Sequence, residues 1–207
     1  MRLLVFCRMH LVIVLSIALA GCTATMFTPT LRVPILMYHY ISFNPRAPAD
    51  PLRTRLSVPP PQFAQQLAYL HQANYITITL DDLVDALHGR TILPPKPVIL
   101  TFDDGYADFF TNAFPLLRRY GDKATIYIIT RKVGTPGYLS WKQLQTLAAS
   151  RLITIGAHTR THPELPALSA QQSWAELAGS KTDLETRLGI SVRHLAYPAG
   201  HYTMTTL

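Results

Sequence analysis

Val98-Ile-Leu-Thr-Phe-Asp-Asp-Gly-Tyr106 opens as an apolar run and breaks into two carboxylates and a glycine. A short continuous apolar run closed by turn residues is the pattern of a strand buried on both faces. The two carboxylates at its end point different ways, because side chains alternate across a strand. Gly105 permits a tight turn beside them. Outward from this strand, at 98–103, other short segments rich in Ile, Val, Thr and Tyr read the same way: 34–41, 75–79, 124–130, 153–158 and 192–198. Between them apolar residues recur at helical spacing, as at Phe63, Leu67 and Leu70, or at Leu83, Val84 and Leu87. Phe109, Ala113, Leu116 and Leu117 mark another helix, which Pro115 should kink or break. Ser140-Trp-Lys-Gln143 and Ser169-Ala-Gln-Gln172 have the form of capping boxes, and Gly189 is placed to stop the second helix. The proline-rich stretch 44–61 reads as an irregular loop. Strand and helix in alternation predict an α/β fold with a parallel sheet and outer helices. A distorted (β/α) barrel fits better than a doubly wound sheet, since no glycine-rich phosphate loop follows the first strand. In such a fold the chemistry belongs at the C-terminal ends of the strands.

The chain has 207 residues, 48% of them apolar and 15% charged, enough for one domain with a sizeable core. Its net charge is +7, but the basic residues are scattered and form no block interleaved with aromatics, so nucleic acid is not an expected partner. The two cysteines, Cys7 and Cys22, precede the globular region, which therefore has no disulfide and no cysteine metal site. Residues 1–22 have the parts of an export signal: Arg2 and Arg8, an apolar run from Leu11 to Ala20, and small residues before Cys22. The run is too short to span a membrane. Its Leu19-Ala-Gly-Cys22 ending resembles the bacterial lipoprotein signal, which implies cleavage before Cys22 and lipidation of its thiol. Acyl chains would then hold the protein to a membrane at about 0.8 kcal/mol per buried methylene. Residues 23–32 read as a tether and 33–207 as the domain.

Three constellations lie at strand ends. The first is the Asp103-Asp104-Gly105 turn, which suits a metal ligand beside a base, and equally a turn that caps the next helix. The second is Gly156-Ala-His-Thr-Arg-Thr-His162, whose His158-x-x-x-His162 spacing brings both imidazoles to one side if the segment turns helically. Imidazole suits zinc and other late transition metals. The third is Leu195-Ala-Tyr-Pro-Ala-Gly200, a turn that can aim backbone amides at a developing oxyanion. Together, one aspartate and two histidines make a metal triad with open positions, and the other aspartate is left as general base.

Thr101-Phe-Asp-Asp-Gly105, His158-x-x-x-His162 and Tyr197-Pro-Ala-Gly200, in this order, resemble the polysaccharide deacetylases with the NodB homology domain, carbohydrate esterase family four. Leu36-Met-Tyr-His-Tyr40 is similar to the domain start in members that deacetylate poly-β-1,6-N-acetylglucosamine, many of which are envelope lipoproteins. The resemblance implies that Asp103 is the catalytic base. It implies that Asp104, His158 and His162 bind a divalent metal, with Zn2+ the best match to the ligand set. It makes Tyr197, Pro198 and Ala199 the oxyanion and substrate-groove turn. His39, at the end of the first strand, is a further site candidate.

The implied activity is metal-dependent removal of N-acetyl groups, with release of acetate, from an envelope or extracellular polysaccharide. The implied partners are that polysaccharide, a membrane through the lipid anchor, and exopolysaccharide export machinery. The implied place is the cell envelope, at the outer membrane facing the periplasm. Peptidoglycan and chitin oligosaccharides are alternative substrates, and a non-catalytic polysaccharide-binding lipoprotein is an alternative of another class. Two departures stand out. Ala196 and Ala199 occupy positions where many members carry arginine and tyrosine. A later histidine that serves the family as general acid has no match here, so the barrel is expected to be incomplete at its C-terminus.

Overall fold

A computed structural model describes residues 31–45 and 49–203. The signal segment with Cys22 and most of the tether lie outside these residues. The elements run β1 (Ile35–Tyr38), α1 (Pro51–Arg55), α2 (Pro60–Gln72), β2 (Ile76–Thr77), α3 (Leu80–Leu87) and β3 (Pro97–Phe102). They continue with α4 (Phe114–Tyr120), β4 (Ala124–Ile128), α5 (Trp141–Ala149), β5 (Ile153–Ala157) and α6 (Ala170–Leu188). All strand pairs are parallel, in the order β1-β3-β4-β5, and β2 pairs with the start of β3. The described strands form one parallel sheet of an α/β fold. No described helix is long and apolar enough to cross a membrane.

β3 and β4 are buried along almost their whole length, as their unbroken apolar runs require. Phe102 sits at the centre of the core, stacked on Tyr38 at 5.1 Å and edge-on to Phe63 and Phe109 at 5.8 and 4.7 Å. Phe63, Leu67 and Leu70 turn the apolar stripe of α2 onto this cluster. Because Phe102 is completely buried, Phe102→Ala should lower unfolding free energy by about 3–5 kcal/mol. Guanidinium denaturation would read this as a lower midpoint at unchanged slope.

The capping boxes at Ser140–Gln143 and Ser169–Gln172 are formed, and Gly189 ends α6 in the left-handed conformation. Other segments differ from the sequence reading for local reasons. The stretch 44–61 is not wholly irregular: Asp50 caps α1, whose first residue is Pro51, and α2 begins at Pro60. Proline suits these positions because its missing N–H is unneeded in a first turn. Pro115 does not kink a continuous α-helix. It lies in the first turn of α4, and the preceding Phe109–Ala113 winds as a wider π turn. Val84 and Leu87 of α3 face outward rather than into the core. The segment 192–198 is not an extended strand: only Leu195 bridges to β5, through Ala157 N–H to the His194 carbonyl and Ala196 N–H to the Ala157 carbonyl. Its ladder ends where Pro198 removes a donor and the chain turns.

Candidate active site

Parallel strands end on the same edge of a sheet. The C-terminal ends of β1, β3 and β5 are followed by His39, by Asp103 and Asp104, and by His158. Asp103 continues the ladder, donating its N–H to the Tyr38 carbonyl at 2.9 Å. Asp104 and Gly105 then take positive φ of 71° and 78°, which swings the second carboxylate away from the first. The turn is locked because the Gly105 carbonyl accepts from Leu139 N–H at 2.9 Å. A Cβ at Gly105 would press on Ile128 at 3.0 Å.

The second motif reaches its geometry by a route the spacing did not indicate. Residues 158–162 form no helix. They make a loop in which Thr159 and His162 both hold left-handed backbone, at φ 62° and 63°. Two such reversals bring the imidazoles edge to face with ring centres 4.8 Å apart. Thr159 ties the loop from within, donating its hydroxyl to the His158 carbonyl at 2.6 Å and accepting His162 N–H at 3.0 Å. Glu176 and Asp183 of α6 hold it from outside.

His158 Nε2 and His162 Nε2 stand 3.5 and 3.6 Å from the same oxygen, Asp104 Oδ1. All three donor atoms lie within 4.8 Å of one another. These separations are too long for good hydrogen bonds. The two distances to Asp104 match donors arranged tetrahedrally about 2.0–2.2 Å from one ion, whose mutual distances are about 3.3–3.6 Å. His158 donates its Nδ1–H to the Ala196 carbonyl at 2.8 Å. A carbonyl can only accept, so this bond fixes the tautomer and leaves the Nε2 lone pair facing Asp104. The residues present therefore fit a divalent metal ion.

Asp103 is the carboxylate that the triad leaves over. Burial, and then the charge of Asp104, push its pKa up to about 7. His39 Nε2 lies 3.9 Å from Asp103 Oδ2. Burial lowers the His39 pKa, with the charge of Asp104 opposing. Burial, and then the charge of Asp103, push the Tyr127 phenol up to about 12. Tyr127 occupies its place because residue 156 is glycine: a Cβ there would fall 2.5 Å from its ring.

Of the residues singled out in the sequence, Asp103, Asp104, His158, His162 and His39 are brought together. The third motif joins them through Ala196, one residue before Tyr197, Pro198 and Ala199. Pro198 is buried, Tyr197 stacks on Tyr202 at 5.3 Å, and Ala199 turns the chain with φ 53°. Sequence reasoning missed the Ala196 carbonyl, Tyr127 and Glu176. A backbone acceptor leaves no trace in residue type, and Gly156 meets Tyr127 only through the β4–β5 register. Beyond Gly105, a groove of about 550 Å3 is lined by Tyr40, Phe43, Arg53, Tyr106, Asp108 and Tyr138 among others.

Comparisons with known proteins point the same way. A family model described as polysaccharide deacetylase matches residues 90–207. YxkH of Bacillus subtilis is 35% identical over 176 residues, which cover 85% of this chain and 60% of that protein. The poly-β-1,6-N-acetyl-D-glucosamine N-deacetylase of Escherichia coli K12 is 30% identical over 119 residues, half of this chain and 18% of the relative. This chain thus spans less than two thirds of the length of either relative. The solved structure of the Streptococcus pyogenes deacetylase PplD in complex with acetate superposes with a TM-score of 0.77. It is 32% identical, over 85% of this chain and 77% of that one.

Proposed function

This chain belongs to the polysaccharide deacetylase family, and on that premise we propose that it hydrolyses N-acetyl groups of an envelope or extracellular polysaccharide. Poly-β-1,6-N-acetyl-D-glucosamine is the substrate we favour, in line with what the Escherichia coli relative is named for. The observation that carries the reading is a buried carboxylate, Asp103, beside a second carboxylate that shares its Oδ1 with two imidazoles. Asp104, His158 and His162 are the ligands in this proposal, and two nitrogens with one oxygen favour Zn2+. When bound, such an ion supplies Lewis acidity toward a carbonyl oxygen and lowers the pKa of water.

The chain's own residues do the rest. Asp103 accepts the proton of the water that attacks the acetyl carbon, and a base with a pKa near 7 is well matched to that task. His39 Nε2 stands 3.9 Å from Asp103 Oδ2. The Ala199 N–H is the proposed donor to the developing oxyanion, with Tyr197 and Pro198 as the adjoining wall. One such donor contributes about 2.7–4 kcal/mol to barrier lowering. The C–N bond then breaks, the sugar nitrogen takes the proton held by Asp103, and acetate leaves. The aromatic groove past Gly105 is placed to receive the neighbouring sugar units.

The Leu19-Ala-Gly-Cys22 signal supports placing the protein at the cell envelope with Cys22 lipidated. Mass spectrometry of Cys22 in membrane fractions tests this, and an unmodified or uncleaved N-terminus would overturn it. The activity is tested by acetate release from N-acetylglucosamine oligomers, using soluble protein from residue 23 onward with and without zinc. Zinc-dependent release is the expected result. Oligomer binding without release would instead make the protein a polysaccharide-binding module.

A further inference from the structure

Left-handed backbone is unfavourable for threonine, a β-branched residue, and uncommon for histidine. It persists where the surroundings over-determine it. Thr159 and His162 both adopt it within one short loop, so something outside the loop must hold it. Helix α6 does. The Glu176 Oε2 accepts the backbone N–H groups of Arg160 and Thr161, both at 2.8 Å, while Oε1 accepts the Thr161 hydroxyl at 2.9 Å. These are charge-assisted bonds to amides lying between the two histidines.

The rest of the same helix face completes the cradle. Arg160 crosses α6 and donates to Asp183 from Nε at 3.0 Å. Asp183 also accepts the Thr130 hydroxyl at 2.8 Å, tying the end of β4 to the same point. Gly179 lies between, and a Cβ there would come within 2.5 Å of Arg160 Cδ. Residues 176, 179 and 183 are three and four apart, so they share one face of the helix. A glycine in mid-helix is otherwise unfavourable; here it makes room for the arginine.

We propose that Glu176 is a positioning residue for the two histidines, setting the loop backbone so that both imidazoles reach one ion. This rests on reading Asp104, His158 and His162 as metal ligands. Zinc affinity of the metal-free protein, by chelator competition, tests it alongside the thermal midpoint of the same metal-free samples. Glu176→Ala should weaken zinc binding about 10–100-fold, the usual effect of losing an outer partner of a metal ligand. The metal-free midpoint should also fall, because three charge-assisted bonds are lost, so affinities are compared at a temperature where every variant is folded. Glu176→Gln keeps an amide oxygen where Oε2 accepts both N–H groups, so its affinity should stay close to wild type. Glu176→Asp falls one methylene short and should lose affinity. It also serves as the deciding variant if the alanine form does not fold. Wild-type affinity in the alanine or aspartate variant would overturn the proposal, as would a glutamine variant as weak as alanine. A wild-type protein that binds no zinc would instead overturn the metal-site reading beneath it.

Discussion

His158→Ala is expected to abolish stoichiometric zinc binding and, with it, acetate release. His158 is almost wholly buried, at 2% exposure, and its ring is fixed at both ends. Nδ1 is bonded to the Ala196 carbonyl, and Nε2 faces Asp104 Oδ1. An outer partner of a ligand typically contributes about 10–100-fold to metal affinity, and a ligand itself contributes more. The loss in this variant should therefore exceed about 100-fold. Removing the ring also leaves a cavity and orphans the Ala196 carbonyl, so the metal-free protein should lose stability as well. His162→Ala separates these effects. Its side chain is about a third exposed, so the metal site should be lost with a much smaller change in the metal-free midpoint. Full zinc occupancy in either variant, measured by elemental analysis after dialysis, would refute the ligand assignment.

Both effects depend on how the histidines come together, and here sequence and structure divide. The strands were legible because β3, β4 and β5 are buried on both faces and therefore written as short apolar runs. Their parallel order then places Asp103, Asp104 and His158 on one edge without further information. The approach of His162 was not legible, because it depends on left-handed φ at two non-glycine residues. Spacing alone suggested a helical turn in their place. The partner that holds this conformation, Glu176, is 14 residues from His162 in the chain, and no local pattern links them. The nearest sign was Gly179 inside an otherwise helical segment, flanked by acids at 176 and 183. The segment 192–198 misled for a related reason. Its apolar content suits a strand, but Glu185 and Lys181 of α6 take the N–H and carbonyl of Val192, and Pro198 turns the chain at the other end, leaving a single bridge.

Asp103→Asn is expected to lower kcat by about 10²–10⁴-fold, the usual contribution of a general base. The substitution keeps shape and hydrogen-bonding capacity but cannot accept the proton. Zinc stoichiometry should stay at wild type, because Asp103 is not among the three grouped donors. KM should change little, which separates this variant from one that disrupts substrate binding. The metal-free protein offers an independent check. Burial raises the folded-state pKa of Asp103 to about 7, above its value of about 3.9 in an unfolded chain. The folded state thus holds its proton more tightly, and folding stability falls as pH rises from about 4 to about 7. Asparagine carries no such charge. In metal-free form the variant should match wild type at pH 4 and be the more stable of the two at pH 8. Equal stability at both pH values would mean that the Asp103 carboxylate is already compensated in the folded protein. Unchanged kcat would remove Asp103 from the chemistry and leave His39, 3.9 Å away, as the next group to test.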